Sequence, residues 1–564
     1  MIKGIDYPEW LTEAGIKTLK SGYLLNEENV FQMYRRVAST AAKRVSRPDL
    51  EEKFYVAMVN NWLCPATPVL SNLGTDRGLP ISCFGLTVPD SVDAIYKSVH
   101  EMAMLSKHGG GVGVGVSRIR GRGAKIKNGT NGQSEGVVPW LKVFDSATIA
   151  TSQGNVRRGA TSINLHVDHT DINEFLRIRR QVGDANRQCL NLNICVVISD
   201  SFMKRVENGD REARQLWINI LRERLETGEP YLMFEDTVNR NSPDSYRKNN
   251  LKVEMTNICS EITLHTDENH SFVCCLSSLN LARWDEWKDT DLPELAVYFL
   301  DGVISEFVEK AKEIPGFERS VRFAEKSRAI GIGALGWHTL LQSKMIPFES
   351  FKAMQLNSLI FSTIRDKAVS ASREMARSHG EPEWCKESGM RHTHLMAIAP
   401  TRSNSIISGE ISYGIEPIPA NAYADKTSKG VFLVKNCTFE ALIKKRGLDN
   451  PEIWKSIVSN GGSVQHLDFL TEEEKRVFLT AREINQMSLI MQAAQRQKYI
   501  DQAQSLNLFF PVNVDPKWFN KVHMEAWKLG VKTLYYCRSS SVLKADAATC
   551  LLYTSDAADD TPCV

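Results

Sequence analysis

Three polar residues at alternate positions, Asn257, Cys259 and Glu261, have the side-chain types of a catalytic site. If residues 254–262 are extended, the three side chains point to one face, because side chains alternate along a strand. An amide, a thiol and a carboxylate would then converge on one substrate, with the carboxylate placed to move a proton. The alternative is an edge strand whose polar residues face solvent, and these residues alone do not decide between the two.

The 12 cysteines of the chain contain no C-x-x-C pair, which argues against a zinc ribbon or a thioredoxin-like site. The sequence starts without an apolar signal region and has no run of 18 apolar residues. These features predict a cytoplasmic protein whose cysteines stay reduced. For any single cysteine, the common role is that of a small buried apolar side chain.

The composition and net charge limit the kinds of binding partner that the chain is expected to have. Hydrophobic residues make up 42% of the 564 residues and charged residues 24%, as expected for a globular protein with a large core. The net charge of +2 gives no reason to expect a broad nucleic-acid or membrane surface. An anionic ligand would have to be bound by a few local groups.

The elements that must position these groups alternate between helices and short strands, which predicts an α/β architecture in one large catalytic unit. Helical spacing of apolar residues predicts helices at 26–42, 50–63, 91–107, 139–151, 348–378 and 472–496. Strands are predicted at 112–116 and 193–198. The Gly-rich run 109–115 follows a helix and enters a strand, the reverse of the order in a dinucleotide-binding fingerprint.

Several short motifs occur in the order in which they occur in the large subunits of class I ribonucleotide reductases, and the chain resembles that family from Pro65 to Tyr536. The matching stretches are Pro65-Ala66-Thr67-Pro68, Ser82-Cys83, residues 109–120, Val156-Arg157-Arg158-Gly159-Ala160, residues 257–261, Pro400-Thr401 to Pro417, and Leu534-Tyr535-Tyr536.

The resemblance implies a ten-stranded α/β barrel with a central finger loop. It divides the chain into an N-terminal helical region at 1–75, the barrel with an allosteric site at 76–537 and a flexible tail at 538–564. Helical sequence begins almost at once, near residues 10–25, which predicts a form of the enzyme that lacks the family's N-terminal ATP-binding cone.

The chemistry that the resemblance implies is reduction of ribonucleoside diphosphates at the 2′ carbon. Cys259 would become a thiyl radical that removes the 3′ hydrogen, Glu261 would be the base on the 3′ hydroxyl, and Asn257 would hold the substrate hydroxyls. Cys83 would supply one thiol of the reducing pair. The second is Cys274 or Cys275, and the family pattern Cys-x-Leu-small-small-x-Asn fits residues 274–280 with Cys274 first.

Two further groups of residues are implied for binding. Substrate phosphates would contact Thr67, Ser82, Thr401, Arg402, Ser403 and Asn404, since hydroxyls, N–H groups and an arginine suit a diphosphate. A regulatory deoxynucleoside triphosphate, or ATP, with Mg²⁺ would contact Asp90, Ser91, Arg120, Ile126 and Arg157. The loop that holds Gln153, Asn155 and Arg157 would relay the identity of the effector to the base pocket.

The radical has to arrive from outside, since the chain is expected to bind no cofactor of its own. The resemblance assigns Tyr535 and Tyr536 to radical transfer from a small partner subunit with a dimetal centre, and implies paired catalytic subunits. Two alternatives stay open: a cobalamin-dependent ribonucleotide reductase, which generally lacks the tyrosine pair, and a regulatory subunit without turnover.

The end of the chain departs from the family pattern. In the family, two nearby tail cysteines pass reducing equivalents from thioredoxin or glutaredoxin to the active site by thiol–disulfide exchange. Cys550 fits the first of these, but Cys563 follows 13 residues later, a wider gap than usual. Residues 551–564 resemble translated adapter sequence, so the native tail is expected to have been lost from about Cys550 onward.

Overall fold

The computed structural model of the chain describes residues 6–26, 28–81, 83–126, 132–151, 159–427, 430–511 and 513–539, with the backbone alone at 424–427 and 430–432. The strands are β1 Leu63–Pro65, β2 Cys83–Thr87, β3 Gly111–Gly115, β4 Ala160–His166, β5 Leu192–Ile198, β6 Tyr231–Phe234, β7 Phe272–Asn280, β8 Ile330–Leu335, β9 Ala422–Thr427, β10 Gly430–Lys435, β11 Leu508–Phe509, β12 Thr533–Leu534 and β13 Cys537–Arg538.

The α-helices are α1 Glu13–Lys20, α2 Val30–Arg44, α3 Glu51–Val59, α4 Thr67–Asn72, α5 Val92–Lys107, α6 Val138–Ala150, α7 Ile172–Phe175, α8 Asp200–Glu207, α9 Arg211–Thr227, α10 Glu235–Arg240, α11 Asp244–Lys248, α12 Trp284–Trp287, α13 Leu292–Ala311, α14 Glu318–Ser327, α15 Trp337–Ser343, α16 Phe351–His379, α17 Arg402–Ile407, α18 Cys437–Lys445, α19 Pro451–Ser459, α20 Glu472–Val477, α21 Gln486–Gln497 and α22 Pro516–Lys528. Short 3₁₀ helices span Pro48–Leu50, Ala185–Arg187, Leu281–Arg283 and Glu383–Cys385.

The first half of a barrel is formed by β2, β3, β4, β5 and β6, which lie side by side in chain order and are all parallel. Helices α5, α6, α8 and α9 lie in the crossover connections, as parallel neighbours require. The strands are buried along nearly their whole length, as expected for parallel strands that are covered on both faces.

The second half consists of β7, β8 and three further extended runs of chain, again parallel to one another. β7 pairs with β8, and bridges from Ile332 to Met396 and from Ile398 to Gln504 continue the pairing. The backbone N–H of Tyr535 then donates to the carbonyl oxygen of Leu506 at 2.9 Å, and β11 pairs with β13.

Two antiparallel seams join the halves. β2 pairs with β7, with Cys83 opposite Cys274, and β12 pairs with β6, with Leu534 opposite Leu232. Five runs in each half therefore close a ten-stranded barrel around a central loop, and the fold expected from the resemblance is confirmed.

Helices surround this barrel. α13, whose side chains are buried on nearly every face, packs between the barrel strands and the outer helices α2 and α16. The N-terminal helices α1 to α4 lead into β1, which pairs with the far end of β7. A smaller second core is formed by residues from the β9 hairpin, α18, α19 and α20, including Phe439, Trp454 and Phe478.

Most of the predicted elements are found close to their expected positions. Ser91 caps α5 by accepting from the N–H of Ala94, and the strand predicted at 193–198 is β5. The single helix predicted at 472–496 is wrong: α20 ends at Val477 and α21 begins at Gln486. The cause is packing, because Val477 lies in the second core whereas Leu489 and Ile490 lie in the main core.

Among the residues that the structure describes, no helix combines the length and the apolar character that crossing a membrane requires.

Candidate active site

The loop that carries Asn257, Cys259 and Glu261 runs through the centre of the barrel and turns sharply at its tip. The N–H of Asn257 donates to the carbonyl oxygen of Ile262 at 3.3 Å, and Ser260 has a φ of 66°. The side chain of Asn257 accepts from the N–H of Ile262 at 3.1 Å. The extended segment expected at 254–262 is therefore wrong: a tight turn, and not strand alternation, brings the three polar residues together.

This finger loop is anchored along its incoming arm by the barrel wall. The side chain of Asn164 in β4 accepts from the N–H of Thr256 and donates to its carbonyl oxygen, both at 3.2 Å. On the neighbouring strand, a Cβ on Gly113 would lie 2.2 Å from the carbonyl oxygen of Thr256, so only glycine lets the loop approach this closely.

The outgoing side of the tip is anchored by Ser505, whose hydroxyl donates to the carbonyl oxygen of Cys259 at 2.6 Å and to Glu261 at 3.2 Å. All of these groups are buried. Nδ2 of Asn257 is also buried and has no hydrogen-bond partner among the described residues. A buried donor of this kind is costly unless a ligand satisfies it, so the amide is suited to bind a substrate oxygen.

Cys83 and Cys274 are register partners across the β2–β7 seam. Directly opposed residues of an antiparallel pair have Cα atoms about 4.5–5.5 Å apart, which lies within the range that a disulfide spans. Cys275 points away from the barrel interior, since its thiol lies 3.7 Å from the carbonyl oxygen of Leu300 in α13. The structure therefore places Cys274, and not Cys275, beside Cys83.

Burial raises the pKa of the Cys274 thiol well above its ordinary value, with a further contribution from nearby Cys83. Nε2 of Gln502 lies 3.9 Å from the Cys274 sulfur and lowers the pKa of this thiol, whereas the nearby Glu261 carboxylate raises it. At neutral pH the side chain is thus a protonated thiol, the form that can give up both an electron and a proton.

The residues expected to bind phosphate come from two segments that meet in the structure. Nδ2 of Asn404 donates to the carbonyl oxygen of Pro65 at 3.0 Å, which joins the chain before α4 to α17. Thr401 has a φ of 56° and its hydroxyl accepts from the N–H of Gly414 at 2.7 Å. Thr67 is hydrogen-bonded to Tyr23 at 2.9 Å. Arg402 and Ser403 begin α17, and Ser403 is buried.

Tyr535 and Tyr536 are buried against each other, with ring centroids 4.5 Å apart. The N–H of Tyr535 donates to the carbonyl oxygen of Leu506. Leu506 follows Ser505, whose hydroxyl contacts Cys259, so the backbone of the tyrosine pair lies beside the segment that holds the tip of the finger loop. Burial raises the pKa of Tyr536 to about 12, and its phenol is protonated at neutral pH.

The residues expected to bind an effector lie outside the barrel, at the ends of β2 and β3. Arg120 is ion-paired with Asp90 at 2.8 Å, while Ser91 and Ile126 are exposed. A cavity of about 530 Å³ lined by Arg118, Arg120 and Glu254 separates this region from the incoming arm of the finger loop. Ser82, Gln153, Asn155, Arg157 and Cys550 lie outside the described residues.

One group in the described chain has the side chains of a metal site. His265, Asp267 and His270 have ligand atoms within 4.8 Å of one another, in the connection between the finger loop and β7. Asp267 already accepts from the N–H groups of Asn269 and His270, and His265 is bonded to the carbonyl oxygen of Lys252. The bond between His265 and Lys252 joins the two arms of the finger loop at its base.

Sequence reasoning missed Ser505, Gln502 and Asn164. Asn164 is a buried amide between the apolar residues Ile163 and Leu165 of β4, and this pattern is a local signal for an interior contact. Ser505 and Gln502 lie in a polar run, and their contacts with Cys259 and Cys274 span more than 200 residues, so no local pattern reveals them.

A thiol on a buried loop tip, a carboxylate beside it and a pair of thiols at a seam of a ten-stranded barrel are suited to thiol-based redox chemistry. Comparison with known proteins agrees: the chain matches the ribonucleotide reductase barrel domain over residues 81–212, 210–384 and 382–537, and the ribonucleotide reductase all-alpha domain over residues 9–78.

Similar proteins include the ribonucleoside-diphosphate reductase large subunit of Invertebrate iridescent virus 3, 36% identical over 97% of each chain. That of Arabidopsis thaliana is 30% identical over 96% of this chain and 77% of its own. Among solved structures, the class Id ribonucleotide reductase alpha subunit of Actinobacillus ureae is 42% identical, with a TM-score of 0.88 over 95% of this chain and 99% of that one. The chain belongs to the ribonucleotide reductase large-subunit family.

Proposed function

We propose that the chain is the catalytic subunit of a ribonucleoside-diphosphate reductase and converts ribonucleoside diphosphates to 2′-deoxyribonucleoside diphosphates. The observation that carries this proposal is the tip of the finger loop, where Cys259 and Glu261 share Ser505 as a hydrogen-bond partner. As a member of the large-subunit family, it acts with a separate small subunit.

The reaction needs a one-electron oxidant at the substrate and a two-electron reductant beside it. A thiyl radical on Cys259 removes the 3′ hydrogen atom, and Glu261 accepts the proton of the 3′ hydroxyl, which favours loss of the 2′ hydroxyl as water. Cys83 and Cys274 then supply two hydrogen atoms and become a disulfide. The 3′ hydrogen returns from Cys259, which restores the thiyl radical.

Substrate binding in this scheme uses the buried donors around the tip. Nδ2 of Asn257 is free to donate to a ribose hydroxyl, and it keeps the sugar oriented while the radical moves. Thr67 and residues 401–404 bind the diphosphate, together with Ser82. The contact between Asn404 and Pro65 supports this assignment, because it holds the two segments side by side.

Tyr535 and Tyr536 carry the radical from the small subunit to Cys259. The contact between their rings, with centroids 4.5 Å apart, and their place next to residues 505–506 support this role. The small subunit is proposed to generate the radical at a dimetal centre. Thioredoxin or glutaredoxin would reduce the Cys83–Cys274 disulfide, by way of Cys550 in the tail.

Control of substrate choice is proposed to come from a deoxynucleoside triphosphate or ATP, bound with Mg²⁺ near Asp90, Ser91, Arg120 and Ile126, with Arg157 in the relay loop. The catalytic subunits are proposed to pair in a homodimer. The cavity between Arg120 and Glu254 supports a link from this region to the finger loop, because Glu254 lies on the incoming arm and is ion-paired with Arg118 at 3.0 Å.

The function is tested by measuring CDP reduction with dithiothreitol and small subunits of related enzymes, with and without adenosylcobalamin. Deoxycytidine diphosphate is expected only when a small subunit is present, and Cys259→Ser is expected to abolish its formation. Product formed with adenosylcobalamin and no second protein would contradict the proposal.

A further inference from the structure

A third tyrosine adjoins the pair that is proposed to carry the radical. Tyr231 begins β6, and the pairing of Leu232 with Leu534 brings it beside Tyr535. Its ring centroid lies 4.6 Å from that of Tyr535 and 4.9 Å from that of Tyr536. All three rings are buried, so the tyrosine pair is in fact part of a triangle of phenols.

Asn193 on the adjacent strand β5 organises this triangle. Its Nδ2 donates to the hydroxyl of Tyr231 at 2.8 Å and to the hydroxyl of Tyr536 at 3.3 Å. An asparagine amide has two N–H donors, so a single side chain can serve both phenols.

The orientation of the Asn193 amide is fixed from its other end. Oδ1 accepts from Nη1 of Arg179 at 2.9 Å, and that guanidinium is ion-paired with buried Glu229 at 3.2 Å. Arginine has only donors, so the carbonyl side of the amide must face Arg179 and the NH₂ side must face the phenols.

The hydrogen bonds give the Tyr536 oxygen a defined environment. Because the Tyr231 oxygen accepts from Asn193, its own proton can turn toward the Tyr536 hydroxyl, which the same amide also contacts and whose ring centroid lies 4.9 Å away. The oxygen of Tyr536 accepts from Asn193 at 3.3 Å and lies where it can also accept from Tyr231.

We propose that Tyr231 and Asn193 are positioning residues for Tyr536, which hold its oxygen in place through two donated hydrogen bonds while it is oxidised and reduced. This inference rests on the proposed radical role of Tyr535 and Tyr536. When the small subunit's one-electron oxidant has produced the Tyr536 phenoxyl, the hydroxyl of Tyr535 gives it one electron and one proton. Tyr231 and Asn193 keep their own protons throughout.

The test removes one hydroxyl. Tyr231→Phe keeps the ring and loses the bond to Tyr536, so kcat for CDP reduction with the small subunit is expected to fall about tenfold, the effect of one hydrogen bond. The KM for CDP should not change. Tyr499→Phe is the matched control, since its hydroxyl is bonded to Ser358 at 2.9 Å between outer helices, and it should keep the wild-type kcat.

A spectroscopic measurement separates positioning from packing. With 3-aminotyrosine at position 536, the radical trapped on that residue should show exchangeable deuterium couplings from two hydrogen-bond donors in D₂O. Tyr231→Phe should remove one coupling and Asn193→Leu the other. The double variant should lose less kcat than the product of the two single losses, because the two residues act as a unit.

Each outcome has a distinct meaning. If Tyr231→Phe has the wild-type kcat, or loses kcat with unchanged couplings, the positioning role is wrong. Tyr536→Phe in the same assay tests the underlying proposal: steady turnover by that variant would show that the tyrosine pair does not carry the radical, whatever Tyr231 does.

Discussion

The finger loop passes very close to β3, so a substitution in β3 can shift Cys259 without replacing any residue that is proposed to react with the substrate. Replacement of Gly113 by alanine adds a Cβ that would lie 2.2 Å from the carbonyl oxygen of Thr256 and 3.0 Å from Cα of Asn257. Both atoms belong to the backbone and cannot rotate away. Either the loop or the strand has to move.

The size of the movement follows from these distances. Contacts of a Cβ under 3.0 Å are essentially never found, so the 2.2 Å contact has to lengthen by at least 0.8 Å. Displacement of reacting groups by about 1 Å costs roughly 10²-fold in rate. Overpacking of a buried site costs about 1–3 kcal/mol of stability, too little to unfold a protein with a core of this size.

Gly115→Ala provides a control on the same strand and the same face. Its Cβ would lie 3.1 Å from Sδ of Met255, and a methionine side chain adapts readily to a new neighbour. In the CDP reduction assay, kcat should fall about 10²-fold for Gly113→Ala and by no more than about twofold for Gly115→Ala. Circular dichroism and thermal melting would show that both variants are folded.

The result that refutes this reasoning is a Gly113→Ala variant that is folded and has a kcat within about threefold of the wild type. The close approach would then have no bearing on the position of the tip. An equal loss in both variants would point to a general effect of side chains on β3.

Three further predictions concern the thiols, a buried acid and the effector region. Turnover without external reductant should leave a Cys83–Cys274 disulfide in peptide maps, and a Cys83–Cys275 link would contradict the register of the β2–β7 seam. Burial raises the pKa of Glu416 from 4.5 to about 7, so its contribution to stability is fully present below about pH 4.5 and is lost as the pH rises through about 7. In urea titrations, the unfolding free energy of Glu416→Gln should therefore rise relative to that of the wild type by about 3 kcal/mol between pH 4.5 and 8. If the unfolding free energies of the two proteins depend on pH in the same way, this explanation is excluded. Asp90→Ala should keep basal CDP reduction but bind a deoxynucleoside triphosphate about tenfold more weakly, and unchanged effector control of substrate choice would show that the site lies elsewhere.

Local sequence signals predicted the regular elements well. The cap at Ser91 and the largely apolar strand β5 depend on short stretches of chain, and both are found where expected. The choice of Cys274 over Cys275 came from the family spacing, and the register with Cys83 places that cysteine accordingly.

The features that the sequence did not predict depend on distant contacts. The turn at Ser260 is stabilised by bonds from Ser505 and by the wall at Gly113, neither of which is visible in residues 254–262. The break between α20 and α21 arises because their apolar faces belong to different cores. Asn193 and Tyr231 lie beside Tyr535 and Tyr536 only because β12 pairs with β6, a contact between segments about 300 residues apart in the sequence.

The two antiparallel seams also determine how the halves of the barrel can move relative to each other. During turnover, the proposed Cys83–Cys274 disulfide would link the halves covalently at the β2–β7 seam, while the seam at β12 stays joined by the short pairing of Thr533 and Leu534 with β6. The oxidised protein would then have a hinge at one seam, and any opening of the barrel would be greatest at the other, next to Tyr535. Re-reduction of the dithiol would leave both seams joined by backbone pairing alone, so the redox state of Cys83 and Cys274 would change how firmly the two halves are held together at the β2–β7 seam.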